Sequence, residues 1–235
     1  MARRSLVLLS GGLDSTVALW WARSKYHSVA TLSFSYGSRE ETVSLECAKA
    51  ISRRAGVQNN LIEVDVLRRI AGGQSALVGS ERPIPEGLDG PDLASTKAVW
   101  VPARNLVLIS LAASFSEGLE GDVDIIVGFD EEEARTFPDN SKRFVRCVNL
   151  VLRDAVFQKS VSLLAPLVDM DKAEIVSLSA ELGAPVELSC SCYQPRGFPD
   201  GLPQHCGVCQ SCILRHRGFL KAGIPDPTAY EVVPR

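Results

Sequence analysis

No apolar run in this sequence approaches the roughly 20 residues that a helix needs to cross a membrane. An excess of positive charge is missing as well: 25 Lys and Arg stand against 28 Asp and Glu, a formal net charge of −3. A strongly basic nucleic-acid binder is therefore not expected, although a local basic patch is compatible with this balance. The apolar run after the charged N-terminal start is too short for a signal peptide, and neither internal repeats nor low-complexity tracts occur. These absences predict a cytoplasmic protein that needs neither a membrane nor a nucleic acid as partner.

The patterns that are present alternate between strand and helix in the first half of the chain. A continuous apolar run at residues 5–9 indicates a strand buried on both faces, and β-branched alternation at 29–36 indicates a second strand. Helical spacing of apolar residues recurs at 40–55, 141–155 and 171–182. Strands separated by helices form right-handed βαβ units, so the sequence predicts an α/β fold with a doubly wound parallel sheet.

Residues 72–102 interrupt this alternation. They are rich in Gly, Pro, Ser and Asp and have little periodicity. A loop of this length inside a compact domain is usually functional or disordered. We interpret it as a candidate lid over a ligand site, mobile without substrate and ordered with it.

A glycine-rich segment, Ser-Gly-Gly-Leu-Asp-Ser at residues 10–15, lies between the first predicted strand and a helix predicted to be capped by Asp14 or Ser15. At such a junction, backbone N–H groups and the helix dipole converge on an anion. The segment lacks the lysine of a Walker A motif and the third glycine of a dinucleotide fingerprint. A bare Gly-Gly pair is often only a tight turn. The hydroxyls of Ser10, Ser15 and Thr16 can add donors. The whole string after a buried strand resembles the pyrophosphatase loop of the ATP-pyrophosphatase enzymes, and this resemblance favours a phosphate-binding loop over a tight turn.

Seven cysteines are present, and five of them lie close together near the C-terminus. The spacing Cys192-x13-Cys206-x2-Cys209-x2-Cys212 supplies four thiolates for a tetrahedral zinc ion. Four protein ligands leave no open position, so the pattern predicts structural zinc. Cys190 is interpreted as a small buried residue outside the ligand set. An iron–sulfur cluster stays an open alternative, because cysteines at this spacing also occur in cluster proteins.

A series of short motifs extends over nearly the whole chain. They are SGGLDS at 10–15, FSYG at 34–37, VPARN at 101–105, FPD at 137–139, KAEI at 172–175, SCY at 191–193, CGVCQSCILR at 206–215 and DPTAY at 226–230. In this order they resemble the 7-cyano-7-deazaguanine synthase (QueC) family of the ATP-pyrophosphatase (PP-loop) enzymes. The resemblance implies a HUP-like, adenine nucleotide α-hydrolase-like domain over residues 1–185. A C-terminal zinc-binding segment over residues 186–235 would pack on the same domain.

The resemblance implies a C–N ligase that uses ATP to convert 7-carboxy-7-deazaguanine and ammonia into 7-cyano-7-deazaguanine, a queuosine or archaeosine precursor. The substrate carboxylate would be adenylated, aminated to an amide, activated again and dehydrated. Mg²⁺ would accompany ATP, and zinc would bind the four matching cysteines. A homodimer is also implied.

Two other functions remain open at this point. Many members of the family read Tyr-Pro-Asp-Cys-Arg where this chain has Phe-Pro-Asp-Asn-Ser at residues 137–141. The usual Tyr-Gly-Gln-Arg-His is Tyr-Gly-Ser-Arg-Glu at residues 36–40. Such departures fit a related ligase that joins the deazaguanine to a protein amine in antiviral defence. A tRNA thiolation enzyme is the second alternative, and it would need a basic surface and an iron–sulfur cluster.

The resemblance and the local chemistry together give candidates for catalysis and ATP binding. Asp14 could orient Mg²⁺. Lys172 could stabilise negative charge on an adenylate, with a solvated helix residue as the plain alternative. Arg104 could bind a carboxylate or phosphate with two N–H groups, with a surface ion pair as the plain alternative. The expected ATP-binding residues are Leu8, Leu9, Ser10, Gly11, Gly12, Leu13, Asp14, Ser15, Thr16 and Val17.

The expected substrate-binding residues are Tyr36, Arg104, Asn105 and Asp139. Tyr36 ends the second predicted strand at the carboxyl edge of the sheet, where open α/β sheets bind ligands. A core-edge aromatic is its alternative role. Asp139 is placed to accept hydrogen bonds from a guanine-like N–H edge, or to cap the helix that follows.

Overall fold

The computed structural model describes residues 3–79, 82–87 and 93–235. Within these ranges, a five-stranded parallel sheet in the order β3-β2-β1-β4-β5 forms the centre of the protein. The doubly wound α/β fold predicted from the sequence is confirmed. The strands are β1 (Arg4–Leu8), β2 (Val29–Ser35), β3 (Asn59–Glu63), β4 (Val123–Ile126) and β5 (Val161–Leu164).

Helices cover both faces of the sheet, and several end where the sequence dictates. Gly56 and Gly183 end the second and eighth helices with left-handed φ angles of 67° and 65°, which glycine adopts without a steric cost. The helices are α1 (Leu13–Lys25), α2 (Glu41–Ala55), α3 (Asp65–Ala71), α4 (Leu93–Val99), α5 (Arg104–Glu117), α6 (Glu131–Thr136), α7 (Lys142–Ala155), α8 (Lys172–Leu182) and α9 (Gln210–Ala222).

The central strand β1 is buried on both faces, as its continuous apolar run predicts. Leu6 packs into the hydrophobic cluster under α5 and α7, and Val7 packs into the cluster under α1, α2, α8 and α9. Neither side chain is exposed. Burial on both faces fixes β1 firmly, so the loop that follows it starts from a rigid strand.

The start of α1 differs from the prediction. Its cap residue is Gly12, in an extended conformation and without a side-chain hydrogen bond, whereas Asp14 or Ser15 was expected. Asp14 is already the second residue of the helix. The first turn is therefore not closed by a side chain of its own cap, which suits a helix end that receives a ligand.

The C-terminal segment contains α9 and a small parallel pair, β6 (Gln204–His205) and β7 (Ala229–Tyr230). Helix α9 lies close against the start of α8, because a Cβ on Gly218 would come within 2.8 Å of Lys172 Cβ. The segment thus packs directly on the sheet domain. The division into residues 1–185 and 186–235 stays a prediction.

One stretch of the described chain, Thr96–Glu117, has the length and mean hydropathy of a membrane span, although Lys97 and Arg104 interrupt its apolar run. This is weak evidence, because core helices meet the same criteria. The stretch is not one continuous helix, since α4 ends at Val99 and α5 begins at Arg104.

Candidate functional site

A pocket of about 280 Å³ opens at the carboxyl ends of β1, β2 and β4. The connections from β1 and β4 leave in opposite directions at this point of the sheet, and open α/β sheets bind ligands at such a position. Residues from the loop after β1, from the start of α5 and from the C-terminal segment all line it. The pocket therefore joins the glycine-rich loop to the predicted substrate residues.

The glycine-rich loop is held by its backbone and by serine hydroxyls. Gly11 has a φ of 86°, and a Cβ there would lie 2.2 Å from the carbonyl oxygen of Ser44 in α2. Only glycine fits this position. The N–H of Gly12 donates to Ser10 Oγ at 3.3 Å, and the hydroxyls of Ser10 and Ser15 lie 3.0 Å apart.

The ATP-binding prediction divides into side chains that reach the pocket and side chains that do not. Leu13 and Val17 are buried in the core, and Thr16 donates its hydroxyl to the carbonyl of Gly12 at 2.7 Å. The side chains of Leu13, Thr16 and Val17 do not line the pocket, because helix packing turns them inward. The Thr16 hydroxyl is therefore not the ligand donor that was expected. The predicted residues that line it are Leu8, Leu9, Ser10, Gly12, Asp14 and Ser15.

Lys172 is the centre of a buried ionic cluster. Its ammonium lies 2.8 Å from Asp14 Oδ1 and 2.6 Å from Asp130 Oδ2, and Asp130 is fully buried. Burial alone would lower the pKa of Lys172, but the attraction of both carboxylates raises it well above its ordinary value. Lys172 is therefore neither a solvated helix residue nor part of the pocket lining, because it lies behind Asp14.

Two acidic residues of this cluster were not predicted from the sequence. The carboxylate oxygens of Asp14, Asp130 and Glu133 lie within 4.8 Å of one another, close enough to hold a cation. Burial, reinforced by the charge of Asp130, raises the pKa of Glu133 to about 8. Glu133 belongs to a run of three glutamates that resembles a solvated helix start, so the sequence carried no distinct signal for it.

The predicted substrate residues do come together. Tyr36, Arg104, Asn105 and Asp139 all line the pocket, and Arg104 Nη1 donates to the hydroxyl of Tyr36 at 3.4 Å. The alternative roles of Arg104 as a surface ion pair and Asp139 as a helix cap are wrong. Ser141 caps α7 instead, accepting from the N–H of Phe144.

An aromatic pair and a further carboxylate complete this end of the pocket, and none of these residues was among the expected site residues, although Phe137 and Glu40 belong to the two segments that depart from the family pattern. The rings of Trp100 and Phe137 stack with centroids 5.8 Å apart and an angle of 14° between their planes. Glu40 lines the pocket, and burial raises the pKa of its carboxyl. Among the described residues, Glu40 Oε2 is buried without a hydrogen-bond partner. This end can take a flat, polar ring.

The four predicted metal ligands converge. The sulfur atoms of Cys192, Cys206, Cys209 and Cys212 lie within 4.8 Å of one another, and Cys212 Sγ is 3.4 Å from Cys209 Sγ and 3.9 Å from Cys206 Sγ. A tetrahedral site with zinc–sulfur bonds of about 2.3 Å has sulfur–sulfur edges of about 3.8 Å, so the geometry fits. Backbone N–H groups of Gln194 and Cys206 donate to Cys192 Sγ, as expected beside a thiolate.

Cys190 lies outside this group of sulfur atoms. Its side chain is buried, and burial raises the pKa of its thiol to about 11. A neutral buried thiol agrees with its interpretation as a small core residue. Its backbone has a separate contact, because the N–H of Cys190 donates to the carbonyl of Gly11 in the glycine-rich loop at 2.8 Å.

The glycine-rich loop after the first strand of a 3-2-1-4-5 parallel sheet, without a Walker lysine, fits the PP-loop class of ATP-using enzymes. A 4-thiouridine synthetase, solved with RNA and bound ATP, shares this fold at a TM-score of 0.51 and 17% identity, over 83% of this chain and 46% of that chain. The family model of the queuosine biosynthesis protein QueC matches residues 4–223. This chain belongs to the QueC family.

Relatives in this family match the chain from end to end. The 7-cyano-7-deazaguanine synthase of Pyrococcus furiosus is 47% identical over 241 residues, covering 100% of both chains. That of Methanothermobacter thermautotrophicus is 40% identical over 229 residues, covering 97% of this chain and 99% of the relative. The family resemblance seen in the sequence motifs is confirmed.

Gly128 tests the packing under the loop. A Cβ at Gly128 would lie 2.8 Å from backbone atoms of Asp14 and Ser15, which cannot move without shifting α1. We expect Gly128→Ala to cost about 1–3 kcal/mol in unfolding free energy and to weaken ATP binding. Gly118→Ala is the control, because its Cβ would lie 3.5 Å from the nearest atom. Equal melting curves for the two variants would contradict the close approach.

Lys172 tests the buried cluster. We expect Lys172→Met to destabilise the protein by about 3 kcal/mol in urea unfolding, because it leaves two neighbouring carboxylates without their cation. Lys221→Met is the matched control: it removes an ammonium 2.6 Å from Asp171, but at the surface, where little change is expected. A similar loss of unfolding free energy in both variants would show that burial of the cluster does not increase the cost of removing its cation.

Proposed function

We propose that this protein converts 7-carboxy-7-deazaguanine and ammonia into 7-cyano-7-deazaguanine, consuming ATP. End-to-end similarity to relatives named for this synthase supports the assignment. One structural observation carries it: a single pocket joins the glycine-rich loop to a polar, aromatic end formed by residues such as Asp139 and Trp100. ATP and a flat bicyclic carboxylate would meet there.

The first half of the reaction needs positioning more than a base. The substrate carboxylate oxygen attacks the α-phosphorus of ATP, and pyrophosphate leaves toward the loop, where the N-terminus of α1 favours negative charge. Ammonia then attacks the acyl carbon, AMP leaves, and the nitrogen loses a proton to give the amide. The amide oxygen then attacks the α-phosphorus of a second ATP, and pyrophosphate leaves again. Loss of both protons from the nitrogen and of AMP from the carbon gives the nitrile.

Asp14 and Glu133 both face the pocket and would hold the Mg²⁺ that accompanies ATP. Bound Mg²⁺ would neutralise phosphate charge and stabilise the leaving pyrophosphate. Lys172 does not reach the pocket, so we assign it a positioning role. Burial raises the pKa of Asp14, and the ammonium of Lys172 opposes this rise and orients the carboxylate. Arg104 reaches the pocket beside Tyr36 and would bind the substrate carboxylate.

The other end of the pocket suits the guanine-like ring. Asp139 and Glu40 can accept from its N–H and amino groups, and the Trp100–Phe137 pair offers an aromatic face. An adenylate must be protected from water. Described residues of the 72–102 interval, Leu77 and Val99 among them, line the pocket, while residues 80–81 and 88–92 lie outside the described residues. The lid stays a prediction.

Neither alternative function is favoured. The relatives above carry the name of the synthase, not of a protein ligase or a thiolation enzyme. We propose that the metal of the cysteine site is structural zinc, since four thiolates occupy every tetrahedral position. A cytoplasmic location, supported by seven unpaired cysteines, stays a prediction, as does the homodimer.

Incubation with 7-carboxy-7-deazaguanine, ATP, Mg²⁺ and ammonium tests the reaction. We expect mass spectrometry to find the nitrile, AMP and pyrophosphate without any protein partner. Asp139→Asn should lower kcat/KM for the deazaguanine about 10–100-fold, because an amide N–H₂ would face the ring donors, with KM for ATP unchanged. Asp169→Asn, at the surface, is the control. Deazaguanine attached to a protein amine, with no nitrile, would reject the proposal.

Metal analysis tests the cysteine site. Cys209→Ser should lose bound zinc and soluble protein together, because structural zinc is coupled to folding. Cys190→Ser should keep both. Zinc retained by Cys209→Ser but lost from Cys190→Ser would show that the ligand set is wrong. A brown protein that absorbs visible light would identify an iron–sulfur cluster instead.

A further inference from the structure

Several residues of the C-terminal segment line the pocket, and one of them, Ser191, also contacts the start of α1. Ser191 lines the pocket, and its Oγ accepts a hydrogen bond from the N–H of Leu13, the first residue of α1, at 3.4 Å. The backbone N–H of Ser191 donates to Nε2 of His205 at 3.1 Å, which fixes the residue from behind. A residue 178 positions from Leu13 in the sequence is thus part of the helix start.

A buried arginine stands behind Ser191. Arg215 is 1% exposed, and its Nη1 donates to Ser191 Oγ at 3.2 Å and to Ser189 Oγ at 2.9 Å. Its remaining bonds go to Thr228 Oγ1 and to the carbonyl of Val186. All four acceptors are neutral, and no carboxylate lies within ion-pair distance of Arg215 among the described residues.

A buried guanidinium without a carboxylate partner is costly, so its position calls for a physical reason. A hydroxyl has one hydrogen to donate and two lone pairs to accept with. Both lone pairs of Ser191 are used, by Leu13 and by Arg215. The hydroxyl hydrogen of Ser191 must therefore point away from these two donors. Because Ser191 lines the pocket, the hydrogen can be donated to a ligand there. A hydroxyl polarised by a cation is a strong donor toward an anion.

We propose that Ser191 is a phosphate-binding residue that donates its hydroxyl to the triphosphate of ATP, and that Arg215 is a positioning residue acting through Ser191. This inference rests on the proposed use of ATP at the glycine-rich loop. It makes one hydroxyl of the C-terminal segment a part of the nucleotide site. Ser191 adds to the hydroxyls of Ser10 and Ser15 on the loop itself.

Binding of the triphosphate is the direct test. Titration calorimetry with α,β-methylene-ATP and Mg²⁺ should show about tenfold weaker binding for Ser191→Ala, the expected loss for a hydrogen bond to a charged group. Ser191→Thr, which keeps the hydroxyl, should bind more tightly than Ser191→Ala. Affinity for adenosine, which has no phosphate, should not change in either variant.

Ser189→Ala is the matched control. It removes a serine hydroxyl that also accepts from Arg215, but Ser189 does not line the pocket. We expect both Ser189→Ala and Ser191→Ala to keep their metal content and to lower the melting temperature to a similar extent, because each removes one acceptor of the buried Arg215. Binding of the triphosphate analogue should match the wild type in Ser189→Ala and weaken in Ser191→Ala alone, which separates ligand binding from a structural role.

Arg215 is tested by a double-mutant cycle. Arg215→Gln should weaken binding of the analogue. Adding it to Ser191→Ala should cause little further loss, because Arg215 acts through the Ser191 hydroxyl that this variant already lacks. Additive losses would reject the action of Arg215 through Ser191. Binding by Ser191→Ala equal to the wild type, or an equal loss in Ser189→Ala, would overturn the assignment of Ser191. Failure of the wild type to bind the analogue would overturn both this inference and the proposed function.

Discussion

The start of helix α1 is the constraint on which the rest of the site depends. Gly12 has no side chain to cap the first turn, so this turn must be held by other parts of the chain. Gly11 packs against the backbone of α2, and Gly128 packs against the first turn itself. Ser191 supplies the hydroxyl that the N–H of Leu13 requires. The helix dipole is thereby kept free to act on a ligand.

The charge next to this helix start follows from the same geometry. Asp14 is carried into the pocket by the first turn, and a carboxylate so near other carboxylates needs a cation. Lys172 supplies it from α8, with its position fixed by the close approach of Gly218 from α9. A buried pair of this kind contributes orientation rather than net stability. The helices that surround α1 therefore determine both its position and the ionisation of its acid.

Local features were predictable from the sequence because each depends on nearby residues. The apolar run of β1, the glycine that ends α2 and the spacing of the four cysteines gave the fold and the metal site. The short helices α3, α4 and α6 were missed because each has too few turns for a periodicity, and α4 lies inside the interval 72–102 that was interpreted as a loop.

The missed site residues depend on topology instead. Asp130 accepts a hydrogen bond from Lys172, 42 positions away in the sequence. Ser191 accepts one from Leu13, 178 positions away. No local pattern in the sequence distinguishes Asp130, Glu133 or Ser191 from a solvent-exposed residue of the same type. Thr16 shows the opposite failure, since a hydroxyl beside the loop turned inward to the carbonyl of Gly12 once helix packing set its direction.

The placement of the metal site follows from these contacts. A chain of 235 residues can bury the core of its sheet without a metal, so the cysteines serve the fold of the C-terminal segment rather than that of the sheet. Between α8 and α9 the backbone has little regular structure apart from one short turn and β6. Such a segment cannot by itself hold a hydroxyl at a fixed distance from a helix start. A metal bound at Cys192 and Cys206 would fix both neighbours that matter, Ser191 and His205. A metal at this place would then serve the proposed nucleotide site, because it would make an irregular segment rigid where that segment touches α1.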